Sequence, residues 1–332
     1  MIITRVPFRV SLFGGGTDLP VWFERYGGDV LSTSIDKYCY VTARPLPPFF
    51  EHRVRLTYSR IELVKELEEI QHPLIRAALE RFRRSDIEIH YDADLPAWSG
   101  LGTSSAFGVG LVGALGGLEG KMFSRKDLAI EAIRLERDVL KEPGGYQDQV
   151  AAAYGGFNHI EFHPAGDFTV HPIVLSPERL TALQRSLMLC YIPKTRKSGD
   201  VSPANNYKPE AYDHLLEFIH GSVKTALRIM SSGDIRDLGA LLHETWLRKR
   251  ELPGTSNETI DQVYETARSA GATGGKILGA GSGGFMLLVC PEEHQRNVQE
   301  KLSDLLFVPF TFDRSGHQVI HYEPADNWRG RH

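Results

Sequence analysis

Cysteine is scarce: three in 332 residues, Cys39, Cys190 and Cys290, odd in number and far apart. That excludes a disulfide framework and offers no zinc spacing, so all three read as buried packing residues. A surplus of charge of one sign is also missing. Thirty-eight basic residues against 42 acidic ones leave a formal charge of −4, which gives no support for nucleic acid or an anionic membrane surface as partner. Long apolar runs are lacking too. The nearest approach, residues 97–118, carries no charge but holds seven glycines and four Ser or Thr residues, too polar a mix for a membrane span. Arg5 and Arg9 interrupt the first apolar stretch, so no signal peptide is visible. A cytoplasmic location is expected, and nothing in the composition decides for or against a homodimer.

What is present is an ordinary soluble composition, 42% apolar and 24% charged, at a length that suits two domains. Patterning predicts strands over 2–12, 29–45, 53–58, 87–91 and 187–192, and a helical stretch over 61–84 broken at Pro73. Helices follow over 104–118, 124–141 and 149–154. Beyond a composition change near 180–190 come helices over 209–232, 234–252, 257–270 and 292–305, with strands near 276–290 and over 307–313 and 318–322. Strands and helices mixed in both halves point to an α+β protein of two domains, divided as 1–185 and 186–332. A doubly wound nucleotide fold is disfavoured, because no strand–GxGxxG–helix opening exists.

Glycine is the deviation, with 32 residues that arrive in clusters. Residues 96–105 (Pro-Ala-Trp-Ser-Gly-Leu-Gly-Thr-Ser-Ser) lead from a loop into a buried helix. Gly100 and Gly102 let the backbone curl around Leu101, so that N–H groups and the helix dipole can meet an anion. Thr103, Ser104 and Ser105 add hydroxyls for phosphate oxygens or a metal ion. The plainer alternative is a glycine turn with Ser/Thr caps.

The helix predicted over 124–141 contains a conflict. At 100° per residue, Leu128, Ala129, Ala132, Ile133, Leu135, Val139 and Leu140 share one face. Glu136 falls within that stripe, while Glu131, Arg134, Arg137, Asp138 and Lys141 lie opposite. A carboxylate facing a core needs a cation, several donors or a metal; the choice is a structural ion pair or a magnesium ligand. Asp148 follows Gly144 and Gly145 at the start of a short helix, where an acid is either a dipole partner or a catalytic group. Arg9, in the opening strand, is a partner able to keep such an acid ionised. Residues 13–20, with Gly15, Gly16, Thr17 and Asp18, form either a sugar-binding loop or a plain strand-ending turn. Residues 274–285, including Gly281 and Ser282, leave the same alternatives.

These three glycine segments, in this order, resemble the GHMP small-molecule kinase superfamily. The Gly-Gly-Gly-Thr-Asp loop, residues 146–156 and the Leu-Leu-His-Glu-Thr-Trp stretch are most similar to its D-glycero-D-manno-heptose 7-phosphate kinases. The resemblance implies ATP and Mg2+ as cofactors and phosphorylation of the anomeric hydroxyl of that sugar phosphate, giving the 1,7-bisphosphate. It implies an N-terminal domain with a left-handed βαβ unit, against the usual right-handed rule, and a ferredoxin-like C-terminal domain. It also implies roles: Asp148 and Arg9 catalytic, residues 100–105 on ATP phosphates, Ser105 and Glu136 on magnesium, and Gly15, Gly16, Thr17, Asp18, Gly281 and Ser282 at the sugar. Galactokinases carry Glu-His where Gly15 and Gly16 stand, which argues against galactose. A sugar phosphate would need cations; Lys194 and Arg196 follow the 187–192 strand, and Arg44 and the Arg248-Lys249-Arg250 run are others. A kinase of an unphosphorylated sugar such as fucose, and a non-catalytic sugar and ATP sensor, are the rival expectations.

Overall fold

The computed structural model describes residues 1–97, 99–193, 209–279, 281 and 283–323. The elements run β1 (Ile2–Phe13), α1 (Pro20–Tyr26), β2 (Gly28–Pro45), β3 (Val54–Thr57), β4 (Ile61–Val64), α2 (Pro73–Phe82), β5 (Ile87–Ala93), α3 (Thr103–Leu118), α4 (Arg125–Ile133) and α5 (Gln147–Tyr154). Then come β6 (Phe157–Phe162), β7 (Phe168–Pro172), α6 (Pro177–Arg185), β8 (Leu187–Ile192), α7 (Pro209–Ser232), α8 (Asp237–Lys249), α9 (Glu258–Ser269), β9 (Gly274–Ile277), β10 (Gly284–Val289), α10 (Glu292–Lys301), β11 (Leu306–Phe307), β12 (Phe312–Asp313) and β13 (Gln318–Tyr322).

β1 and β2 are the spine of the first sheet, and β1 is buried along its whole second half. β3 and β5 pair in parallel, joined through β4 and α2. α3 lies buried across β1 and β2 and is apolar on every side, as a helix enclosed by protein must be. The second sheet has the order β11-β8-β10-β9. With α7 to α9 between β8 and β9, and α10 between β10 and β11, its connectivity is the βαββαβ pattern of ferredoxin-like domains. Alternation along its strands divides two cores. Leu187, Leu189, Phe285 and Leu287 join the main core with α7, while Met188, Cys190, Met286 and Leu288 meet Trp246, Tyr264 and Val298 on the other face. The three cysteines are free and buried.

Several expectations need correction. β12 and β13 return to pair with β2 and β1, so residues 312–322 complete the first sheet and a single cut at 185/186 does not separate the two. The expected strand over 307–313 is likewise split between the sheets. Residues 61–64 form a strand: Ile61 and Leu63 are exposed while Glu62 is buried and bonded to Tyr58 and the Gln71 N–H, a period of two. Among the described residues no helix is long and apolar enough to cross a membrane.

Candidate active site

A cleft of about 240 Å³ opens between the loops of the first sheet and the inner faces of α7 and α8. Arg9, Asp18, Arg137, Asp148, Lys249 and Lys276 bring six charged side chains to its wall. Arg9 is buried in β1. Its Nε and Nη2 reach Asp148 Oδ1 at 2.8 and 2.7 Å, and Nη1 donates to the Gly100 carbonyl at 2.8 Å. One arginine thus ties the acid of the α5 first turn to the glycine loop ahead of α3. Asp148 Oδ2 has no protein partner among the described residues.

The loop itself is dictated by contact. Gly100 has φ +82°, and a Cβ there would lie 2.3 Å from the Leu278 carbonyl. The loop packs so closely on the β9–β10 connection that Phe285 N–H donates to the Ser99 carbonyl at 3.0 Å. Gly102 caps α3 in the left-handed region, and no side chain caps that helix. Its first-turn N–H groups therefore remain available to an anion, reinforced by the dipole of a sixteen-residue helix. Ser104 is exposed there, Thr103 is buried, and Leu101 is fully buried, holding the loop from beneath while its carbonyl accepts from Arg9 N–H.

Ser105 turns inward, and its hydroxyl donates to Glu136 Oε2 at 3.0 Å. Gln149 Nε2 donates to the same oxygen at 2.7 Å. Glu136 is sealed from solvent, and its Oε1 has no partner. Burial pushes this carboxyl up to about 7, against the pull of Arg137, Ser105 and Gln149. A buried carboxylate oxygen without a partner, beside a serine hydroxyl, is a donor set suited to a hard divalent cation.

The predicted long helix ends at Ile133 and continues as a π-helical turn, Arg134–Val139. Leu140 N–H bonds back five residues, to the Leu135 carbonyl. The wider turn makes later side chains lag behind a straight α-helix, so two assignments change. Val139, placed in the core stripe, is exposed. Arg137, placed opposite, folds inward to the carbonyls of Glu142 and Gly145 and lies 3.6 Å from Glu136. Glu131 is also buried, held by Arg81 and Arg134.

The residues expected at the sugar are distributed unevenly. Gly15, Gly16 and Asp18 line the cleft. Asp18 is buried, accepting from Gly16 N–H and Gln147 N–H at 2.9 and 3.1 Å, so it braces the loop against α5 as well. Burial raises its pKa, countered by the Gly16 N–H. Thr17 is away from the cleft: it is fully buried, with its hydroxyl between the Gly14 carbonyl and the Asp29 backbone, where it holds the loop. Gly281 is buried against the backbone of Thr255, and Gly279 takes the cleft position. Lys194, Arg196 and Ser282 lie outside the described residues. Arg44 is committed to Glu88 at 2.5 Å. Of the Arg248-Lys249-Arg250 candidates Lys249 lines the cleft, and Lys276, unforeseen in a motif that reads as glycine alone, lines it too.

The model of the GHMP kinases N terminal domain matches residues 70–156, and that of the GHMP kinases C terminal domain matches residues 223–306. The chain belongs to the GHMP kinases. This GHMP kinase is 28% identical over 315 residues to the D-glycero-α-D-manno-heptose 7-phosphate kinase of Campylobacter jejuni, covering 91% of this chain and 93% of that one. It is similar in structure to a D-glycero-D-manno-heptose 1-phosphate kinase from Bacteroides thetaiotaomicron, with a TM-score of 0.78, 25% identity, and coverage of 96% and 98% of the two chains. It is also 26% identical over 332 residues to the bifunctional fucokinase/GDP-fucose pyrophosphorylase of Arabidopsis thaliana, covering 90% of this chain and 31% of that protein. As in its family, the phosphoryl donor is ATP.

Proposed function

We propose that this kinase transfers the γ-phosphoryl group of ATP to the anomeric hydroxyl of D-glycero-D-manno-heptose 7-phosphate, giving the 1,7-bisphosphate for synthesis of nucleotide-activated heptose. The observation that carries the chemistry is the Arg9–Asp148 pair, facing the cleft and bonded to the loop at the α3 N-terminus. The similarity to the Campylobacter heptose 7-phosphate kinase supports the sugar.

The uncapped N–H groups of α3 and the hydroxyl of Ser104 bind the ATP phosphates. Glu136 and Ser105 are the residues that would hold Mg2+, which when bound neutralises charge on the phosphates. Asp148 Oδ2 accepts the hydrogen bond of the sugar hydroxyl, and Arg9, fixed on Oδ1, keeps the carboxyl group aimed. As the new O–P bond forms, the bond from the γ-phosphorus to the β,γ-bridging oxygen breaks and its electron pair leaves on ADP. The hydroxyl proton passes to Asp148. In a loose transition state orientation matters more than basicity, so an ordinary carboxylate suffices. The wall formed by Leu215, Leu216 and Ile219 keeps water from competing as acceptor.

A substrate panel tests the reading. Purified protein with ATP and Mg2+ is offered the heptose 7-phosphate, the unphosphorylated heptose, mannose and fucose, and products are followed by phosphorus NMR. A second, anomeric phosphate on the heptose 7-phosphate is expected. Transfer only to unphosphorylated sugars would refute the sugar phosphate, and transfer to no sugar would favour a non-catalytic sensor.

A further inference from the structure

We propose that Lys249, backed by Lys276, is the receptor for the phosphate ester carried by the sugar substrate. This assignment rests on the sugar phosphate reading above and deepens it.

Lys249 is the last residue of α8, within Arg248-Lys249-Arg250, and its two neighbours are satisfied elsewhere. Arg248 donates to Glu244 at 2.8 Å and lies over the Phe218 ring, 3.7 Å from its centroid. Arg250 pairs with Glu265 at 3.0 Å and approaches Asp261. Lys249 instead lines the cleft, and its ammonium has neither a hydrogen bond nor an ion pair among the described residues. A lysine at a helix C-terminus is ordinarily a solvated partner of the dipole. This one is half-buried at the cleft wall, and burial lowers its pKa despite the nearby Asp18.

Lys276 reaches the same cleft from β9. It is buried, and among the described residues its one hydrogen bond goes to the Leu12 carbonyl at 3.0 Å, so two of its three donors have no partner there. The two lysines repel each other, and Arg9 adds to that repulsion. The acids offset this charge only in part: Asp148 is matched by Arg9, and Asp18, which attracts both lysines, is shared with the backbone N–H groups of Gly16 and Gln147. Two like charges at the wall of a half-enclosed cleft are costly unless an anion completes the site. ATP phosphates already have the α3 N-terminus. A neutral sugar would bring hydroxyls but no charge, whereas a phosphate monoester brings a dianion suited to two ammonium groups.

The test compares the ratio of kcat/KM for heptose 7-phosphate to that for the unphosphorylated heptose, in wild type and in Lys249→Met, at saturating ATP and Mg2+. Losing one charge-assisted contact should lower that ratio ten- to a hundredfold, mainly through the KM of the phosphorylated sugar. Lys249→Arg should restore most of it. Lys249→Gln serves in place of Lys249→Met if the latter does not fold. Equal losses on both sugars would put Lys249 at the transferred phosphoryl group and overturn the assignment. An unchanged ratio in a wild type that prefers the phosphorylated heptose would overturn it alone. A wild type with no activity on that sugar would instead overturn the substrate reading, and this assignment with it.

Discussion

Asp148 lines the cleft and Glu136 lies buried beneath α3, two acids set in opposite surroundings. Glu136 is sealed beneath α3, met by a hydroxyl and an amide, and keeps one oxygen without a partner. Asp148 is a quarter exposed and gripped by a guanidinium through a single oxygen. Desolvation without full compensation makes the first a poor resident anion and a good place for a cation. Clamping without burial gives the second an oxygen without a partner among the described residues, held in a fixed direction. Position in the chain does not divide the labour between two carboxylates; environment does.

Four substitutions break or sharpen that contrast. The largest effect is expected from Arg9→Met, which strips Asp148 of its clamp and the Gly100 carbonyl of its donor. Turnover should fall at least a hundredfold in steady-state assays, while the magnesium concentration for half-maximal rate stays within a few-fold of wild type. A comparable shift in that midpoint would mean the two acids are not separable.

Glu136→Gln should do the reverse, raising the magnesium midpoint at least tenfold. It also has a signature without metal. The folded protein holds this carboxyl at about 7 against an ordinary 4.5, so the unfolded chain ionises first. The penalty on the fold is absent below pH 4.5, grows from there to 7 and is complete above it. Denaturant titration in chelator should find the variant more stable above pH 7, by up to about 3 kcal/mol, and no different at pH 4. Stability lost at high pH would contradict the burial argument.

Ser105→Ala removes one donor to Glu136 and should cost about 1 kcal/mol, with a few-fold rise in the magnesium midpoint. Val139→Ser is expected to be the smallest change, within about 0.5 kcal/mol, because the π-turn leaves Val139 at the surface. A loss above about 2 kcal/mol in thermal or denaturant unfolding would favour a straight helix instead.

Much of the fold can be read from patterning, because α3 is apolar throughout and α7 and α9 each carry one consistent apolar stripe. The site was legible where chemistry and glycine coincide: Arg9, Asp148, the loop at 100–105, and Glu136 as an acid out of place on an apolar stripe. The rest depends on things that one-dimensional patterns do not carry. A π-turn changes the angular step, so Arg137 and Val139 exchange sides. Thr17 sits in the right motif but spends its hydroxyl on the Gly14 and Asp29 backbones. Lys249 looks like its neighbours in sequence, and only packing shows that Phe218, Glu244 and Glu265 claim the arginines and leave the lysine to the cleft. Chain return is equally silent, since nothing in 312–322 says that these strands pair with β2 and β1.

The most direct test of the division between the two acids is Asp148→Asn, near-isosteric and unable to accept the proton. Turnover with the best sugar of the panel and the affinity for ATP with Mg2+ would be measured on the same preparation. The account predicts a turnover loss of about 10²–10⁴-fold with nucleotide affinity within threefold of wild type. Turnover within threefold of wild type would contradict it.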